Sequence, residues 1–229
     1  MTSVERKTLL MEQARVELGN CRRCSLNATR RTIIWGGGNV DAPIMLVAGN
    51  VTFAEDQSGL VLAGDAGNLV AYAMSQVGLR VDRDVFVAPV TRCQRPRVID
   101  EVRGGMTRAE VTPEQVAACS PFLRWQISIV RPVIVVAHGR LAGQVLLGEQ
   151  RPHVAYCGTW RIVGRNCIGL ATHNPAGLVF GERRHLQGEY LEHWHGLAER
   201  LNLLGRMWRP DAECFQRGWS YQPKRSEAA

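Results

Sequence analysis

The sequence predicts an α/β protein: a single-domain three-layer α/β/α sandwich around a mostly parallel central sheet. Three observations carry this. Short apolar runs at residues 44–48, 85–90 and 132–137 are bounded by turn residues, as buried strands are. Segments with helical spacing separate them, the alternation that gives a parallel sheet with helices on both faces. A chain of 229 residues with 45% hydrophobic content is large enough for one full core.

Taken in order, residues 2–18 carry Leu9, Leu10, Ala14 and Val16 at helical spacing, with Gly19 as a stop. Residues 31–39 are strand-like and run into the turn Gly36-Gly37-Gly38. Residues 44–48 form the first central strand. Residues 68–77 predict a helix with Gly78 as its C-cap, and residues 85–90 the second strand. Residues 95–111 are polar, rich in Arg and Gly and without periodicity, so a surface loop is expected. Thr112-Pro113-Glu114-Gln115 is a helix start, with Thr at the N-cap, Pro at the first helical position and Gln at the third. That helix runs through Cys119 to Ile129. Residues 132–137 are the third strand, 140–147 a short helix, 160–163 and 167–171 two more strands, and 186–204 a long amphipathic helix. The domain is expected over 1–204, with 205–229 a loosely held tail.

The net charge is +7 and the pI about 9.4, a balance that favours an anionic partner, nucleic acid first. No apolar run reaches the length of a membrane span, and the polar N-terminus is no signal peptide. A cytoplasmic monomer without a membrane partner is therefore expected.

Seven cysteines in such a chain read as metal ligands or buried thiols rather than disulfides, and the odd count agrees. Cys21 and Cys24 form a C-x-x-C. Cys93 closes a strand, and Cys119 lies in the first turns of the next helix. Four thiolates suit a structural zinc or an iron–sulfur cluster, and spacing does not choose between them. The bland alternative for Cys93 and Cys119 is a pair of core thiols. In open α/β sheets, ligands bind at the carboxyl ends of the strands, which is where Asn50 falls. The glycines that follow let backbone approach a ligand closely.

Taken together, these residues resemble the iron–sulfur uracil-DNA glycosylases, the family 4 and family 5 branch of that superfamily. The matching series is Cys21-Arg22-Arg23-Cys24, Arg31-Thr32, Ala42-Pro43-Ile44-Met45-Leu46-Val47, Glu55-Asp56, Ser58-Gly59 and Gly64-Asp65-Ala66-Gly67. It continues with Arg92-Cys93, Thr112-Pro113-Glu114, Cys119, Arg131-Pro132-Val133-Ile134-Val135, Gly139-Arg140, Leu146-Leu147-Gly148 and Thr172-His173-Asn174-Pro175. The resemblance implies a uracil-DNA glycosylase-like fold, and a 4Fe-4S cluster on Cys21, Cys24, Cys93 and Cys119. The segment between Cys93 and Cys119 is about ten residues longer than the resemblance implies, and its extra piece is basic. It reads as a solvated loop or a DNA contact.

The departures fall at the chemistry. Where the family 4 pattern has Gly-Glu-Ala-Pro-Gly, this chain has Ala48-Gly49-Asn50-Val51-Thr52. The Asn resembles the mismatch-specific and thymine-DNA glycosylases. Asn174-Pro175-Ala176-Gly177-Leu178 likewise resembles their Asn-Pro-Ser-Gly-Leu rather than the family 4 His-Pro. Leu62 stands where the resemblance implies a uracil-stacking Phe. Pro89 stands where it implies a pyrimidine-reading Asn, and proline offers neither a side-chain amide nor an N–H. Thr52 stands where family 1 enzymes use a Tyr to exclude a 5-methyl group.

The resemblance thus implies a monofunctional DNA glycosylase. Asn50 is the expected water-orienting residue, and Asn174 or His173 the group facing the base or sugar. Gly49, Thr52, Phe53, Leu62 and Pro89 are the expected base pocket. Leu178 is the expected wedge into the vacated stack, and Arg140, Arg183 and Arg184 the expected phosphate contacts. With the uracil-reading groups missing, the expected substrate is a base other than uracil in double- or single-stranded DNA. A bulky 5-substituted cytosine, such as the glucosylated hydroxymethylcytosine of phage genomes, is the reading favoured, with an antiphage role. A uracil or mismatch repair glycosylase and an inactive iron–sulfur DNA-binding protein are the alternatives.

Overall fold

The computed structural model describes residues 2–101 and 104–205. The expected tail, Gly205 apart, lies outside the described residues. Helix α1 (Ser3–Leu18) opens on a capping box in which the Thr2 hydroxyl accepts from the Glu5 N–H. The strands β1 (Gly37–Gly38), β2 (Ile44–Ala48), β3 (Val85–Pro89), β6 (Ile134–His138), β7 (Trp160–Gly164) and β8 (Cys167–Thr172) form one six-stranded sheet. Its order is β1-β3-β2-β6-β8-β7. The four central strands are parallel, and β1 and β7 close the edges antiparallel.

Helices cover both faces because each central strand is apolar on both. From β2, Met45 and Val47 face the layer of α5 (Pro113–Val130) and α6 (Gly139–Leu147), which supply Val116, Leu123, Ile127, Ala142 and Val145. Ile44 and Leu46 face the opposite layer, with α3 (Asp65–Ser75), α7 (Pro175–Val179) and α8 (Gln187–Gly205), where Val70, Met74, Leu178, Tyr190 and Trp194 are buried. The α/β/α sandwich expected from the sequence is the observed architecture.

Several local expectations are corrected. The expected loop over 95–111 contains an antiparallel hairpin, β4 (Arg97–Ile99) and β5 (Met106–Arg108), paired Arg97 to Arg108 and Ile99 to Met106. Its exposed side chains carry no buried stripe, so periodicity could not find it. The strand expected over 31–39 shrinks to two glycines. Helix α3 starts at Asp65, three residues earlier than expected. It ends at Ser75 with Gln76 as C-cap, and Gly78 holds the left-handed turn beyond. Short helices α2 (Phe53–Ser58) and α4 (Val81–Asp84) were not anticipated, nor was α7.

The connection from β2 to α3 is compact. Thr52 caps α2 in a second capping box with Glu55. The chain then turns at Leu62, whose φ of 57° is left-handed. Leu62 folds back over α3 so tightly that a Cβ on Gly67 would sit 1.7 Å from the Leu62 carbonyl oxygen. Gly67→Ala is expected to cost at least about 2 kcal/mol, since backbone must move to admit the methyl. Urea denaturation of the variant beside Gly188→Ala, where an added Cβ meets nothing within 4 Å, checks this; equal midpoints would refute it.

Candidate active site

A cavity of about 480 Å³ opens at the carboxyl ends of β2 and β6. That is within the size range of small-molecule sites. Its lining brings together Gly49, Asn50, Thr52, Phe53, Leu62, Arg140 and Asn174 from the expected set, with Ala176 and Phe180 beyond Asn174. Gly139 lets the second loop close on the first. Its φ is 80°, and a Cβ there would lie 2.9 Å from the Asn174 Cβ.

The two asparagines are held differently. Asn50 Oδ1 accepts from the Thr91 hydroxyl at 3.1 Å, and Thr91 is itself buried at the exit of β3. One lone pair of that oxygen and the amide N–H₂ are left to face the cavity. Asn174 caps α7, its Oδ1 accepting the Ala176 N–H at 3.2 Å. Its N–H₂ is the group with capacity to spare, a donor suited to an electron-rich leaving group.

Buried carboxylates fix the wall. Glu55 accepts from the Thr52 N–H and hydroxyl through Oε2, at 2.8 and 2.9 Å, and from the Leu62 N–H through Oε1 at 2.9 Å. Asp56 accepts from the Arg31 and Thr32 N–H groups, which ties α2 to the segment after Cys24. A carboxylate that accepts several backbone donors is a rigid staple. Sequence reasoning matched Glu55-Asp56 to the family but gave them no role; a capping box starting at Thr52 was the available signal.

The mouth is basic. Arg95 and Arg108 line it from the hairpin and tie its base, Arg108 Nη1 donating to the Arg95 carbonyl and Arg95 Nη1 to the Ala109 carbonyl. Burial, then the neighbouring Arg108 charge, push the Arg95 guanidinium down, and its buried Nε has no hydrogen-bond partner. Both residues lay in the stretch read as a loop. Arg140 is not free here: it forms a two-pronged ion pair with Glu110 at 2.9 and 3.0 Å. Both partners are exposed, so the pair is weak enough for phosphate to displace.

Five expected residues are placed elsewhere or apart. Leu178 is fully buried in the core between α3 and α8, because α7 turns its apolar face inward, so it is not an exposed wedge. Phe180, two residues on, is 67% exposed at the cavity rim. Pro89 is buried in the sheet opposite Ala48 and does not line the cavity. His173 is 6% exposed and turns away from the cavity toward His153, Cys157 and His193. Arg183 and Arg184 are exposed beyond the rim, with Arg184 Nε donating to the Val179 carbonyl.

Cys21, Cys24, Cys93 and Cys119 line one small cavity with Arg23, Arg30 and Arg92. Arg30 Nη1 lies 3.6 Å from Cys93 Sγ. Arg92 is 1% exposed, pairs with the Gln126 amide oxygen, and leaves its Nε without a partner. Burial pulls its guanidinium down to about 10, while the charges of Cys119, Cys93 and Cys21 oppose that. Burial raises the Cys93 thiol to about 11 and raises Cys119 too. Buried thiols that stay protonated alone, beside a buried cation lacking a carboxylate, fit a bound group that turns all four into thiolates.

The model of the Uracil DNA glycosylase superfamily matches residues 35–198. Among curated relatives, the type-4 uracil-DNA glycosylase of Archaeoglobus fulgidus is 28% identical over 76% of this chain and 84% of its own. That of Pyrobaculum aerophilum is 29% identical over 75% and 84%. That of Thermotoga maritima reaches 32% over 58% and 64%.

His138, in the cavity wall at the end of β6, is fully enclosed, and burial pushes its ring down to about 3. The ring stays neutral in the folded state while an unfolded histidine protonates near 6.5. Folding stability is therefore expected to fall as pH drops from about 6.5 toward 3, by up to ~1.4 kcal/mol per pH unit from this group. Denaturation midpoints across that range should flatten in His138→Gln relative to wild type; an unchanged acid slope would contradict the assignment.

Proposed function

Since this chain belongs to the Uracil DNA glycosylase superfamily and is a DNA glycosylase, a hydrolase of N-glycosyl bonds, we propose that its substrate is a pyrimidine with a bulky 5-substituent rather than uracil. The observation that carries this is the composition of one cavity. Asn50 and Asn174 share it, and Leu62 and Thr52 leave about 480 Å³ beside them. A flat base fills only part of that volume. Glucosylated hydroxymethylcytosine of phage DNA fits the remainder, which makes antiphage defence the role we favour. The relatives' name favours uracil, and the substrate assay below decides between the two.

The target nucleotide swings out of the stack into the cavity. The amide of Asn50, oriented by Thr91, places a water against the sugar carbon. An amide does not titrate as a base, so rate comes from positioning and from stabilising the sugar cation and the departing base. Asn174 Nδ2 donates to the base. The water attacks the sugar carbon as the bond to the base nitrogen breaks. Its proton passes to solvent or the released base, and an abasic site remains. No lysine lines the cavity among the described residues, in keeping with a hydrolytic mechanism without a Schiff base. Arg95, Arg108, Arg140, Arg183 and Arg184 offer charge for phosphates.

We assign a 4Fe-4S cluster to Cys21, Cys24, Cys93 and Cys119. Such a cluster supplies a redox-capable anchor between the N-terminal segment and the core. Arg30 and Arg92 offset its charge.

Abasic-site formation on oligonucleotides carrying uracil, mismatched thymine or hydroxymethylcytosine, and on glucosylated phage DNA, tests the substrate. Release of the glucosylated base with little from uracil is expected. Efficient uracil release alone would establish the repair reading, and no release from any DNA the inactive one. Asn50→Ala is expected to slow single-turnover release at least about a hundredfold with DNA affinity retained; undiminished turnover would remove Asn50 from the mechanism. Purified protein is expected to be brown with four irons per chain, and Cys93→Ser to lose both; colourless protein with stoichiometric zinc on these thiols would reject the cluster.

A further inference from the structure

Behind Asn174 and α7 lies a cluster that the reaction does not use. His153, on a short 3-10 turn, Cys157 just after it, and His173 at the end of β8 each offer a donor atom within 4.8 Å of the other two. Glu189 and His193, one turn apart on α8, face the same sulfur, and each of their donors lies within 4.8 Å of Cys157. From these residues we infer a second metal site, one that takes a single zinc-like divalent ion on His153, Cys157 and His173.

The geometry is that of a ligand set. Zinc bonds of about 2.3 Å to sulfur and about 2.05 Å to nitrogen at a tetrahedral angle place those two donors ~3.6 Å apart. Cys157 Sγ and His173 Nδ1 are 3.5 Å apart. The nitrogens facing away are arranged as a ligand's outer partners usually are. His153 Nε2 donates to the Thr172 carbonyl at 3.1 Å, leaving Nδ1 for the ion. His173 Nε2 lies 3.0 Å from Glu189 Oε1 but off the line of a hydrogen bond, so this buried nitrogen is unpartnered. Ligation through Nδ1 would fix a proton on Nε2, which a small shift of the partly exposed Glu189 carboxylate would let it donate. His193 is anchored through Nδ1 to the Thr172 hydroxyl at 2.8 Å, and its Nε2 lies 3.7 Å from Glu189 Oε1.

The chemistry of the donors agrees. Binding would displace the Cys157 thiol proton to solvent. Two imidazoles and a thiolate suit zinc or cobalt better than magnesium or calcium. The ion would cross-link the 3-10 turn and the end of β8. Asn174 follows His173 directly, so the site acts as a positioning device for Asn174 and the start of α7.

Cobalt(II) added to metal-stripped, cluster-containing full-length protein is the test. One equivalent should bind with thiolate-to-cobalt charge-transfer absorption in the near ultraviolet. Cys157→Ser should lose that absorption and His153→Ala the stoichiometric binding, with iron content and circular dichroism unchanged. Zinc should raise the melting temperature of wild type and not of either variant. Wild type that binds no more cobalt or zinc than the variant carrying both His153→Ala and Cys157→Ser, or single variants that keep the absorption, would overturn the inference. Should a variant fail to fold, the wild-type titration decides it alone: one equivalent bound with thiolate-to-cobalt absorption supports the site, and no binding or binding without that absorption overturns it.

Discussion

Everything at the candidate site depends on the parallel pairing of β2 between β3 and β6. That register sets Ala48 level with Pro89 on one side and His138 on the other. The ladder continues past the strand ends, with the Val90 N–H donating to the Ala48 carbonyl at 2.7 Å and the Thr91 N–H to the Gly49 carbonyl at 3.3 Å. Thr91 therefore arrives beside Asn50 through backbone geometry. A slip of one residue would exchange the two buried faces of β2 and part that pair. Core packing on both faces thus specifies the position of one amide.

Buried charge links the cavity to the thiol centre. Glu55 and Asp56 are adjacent, but Glu55 closes the loop over the cavity while Asp56 grips the segment after Cys24. Arg92, two residues from the end of the expected strand and next to Cys93, is enclosed on the same side of the sheet as α5. Each would be costly to bury alone; each is stabilised by backbone donors, an amide or thiols. Whatever anchors the four cysteines is therefore mechanically continuous with the wall that faces a base. Removal of the Asp56 carboxylate would orphan the Arg31 and Thr32 N–H groups and loosen both at once.

The sheet and its long helices were legible because burial imposes a period on the sequence: residues 44–48, 85–90 and 132–137 could not be exposed. The hairpin was illegible for the same reason reversed. Arg97, Val98, Ile99 and Met106 are exposed, so nothing in the pattern distinguishes paired backbone from a loop. At the cavity, the ordered motifs found Asn50 and Asn174, since such residues sit at strand ends. They failed at His173, Leu178 and Pro89, because which way a side chain points at a strand end or in a five-residue helix is decided by tertiary packing. Leu178 illustrates this: five residues of α7 are enough to turn it inward and leave Phe180 outside.

The left-handed backbone at Leu62 narrows the mutational routes by which this cavity can change its preference. A side chain at a φ of 57° is tolerated when it is Gly, Asn or Asp, and is resisted when it branches at Cβ. Valine and isoleucine, one nucleotide change from many leucine codons, are therefore poor stepping stones at this wall. Phe53 and Phe180 carry no such restriction; Phe53 lies in α2 and Phe180 has a φ of −101°. Natural variation that retunes this class of cavity should accumulate at those two rim positions before it reaches the turn between them.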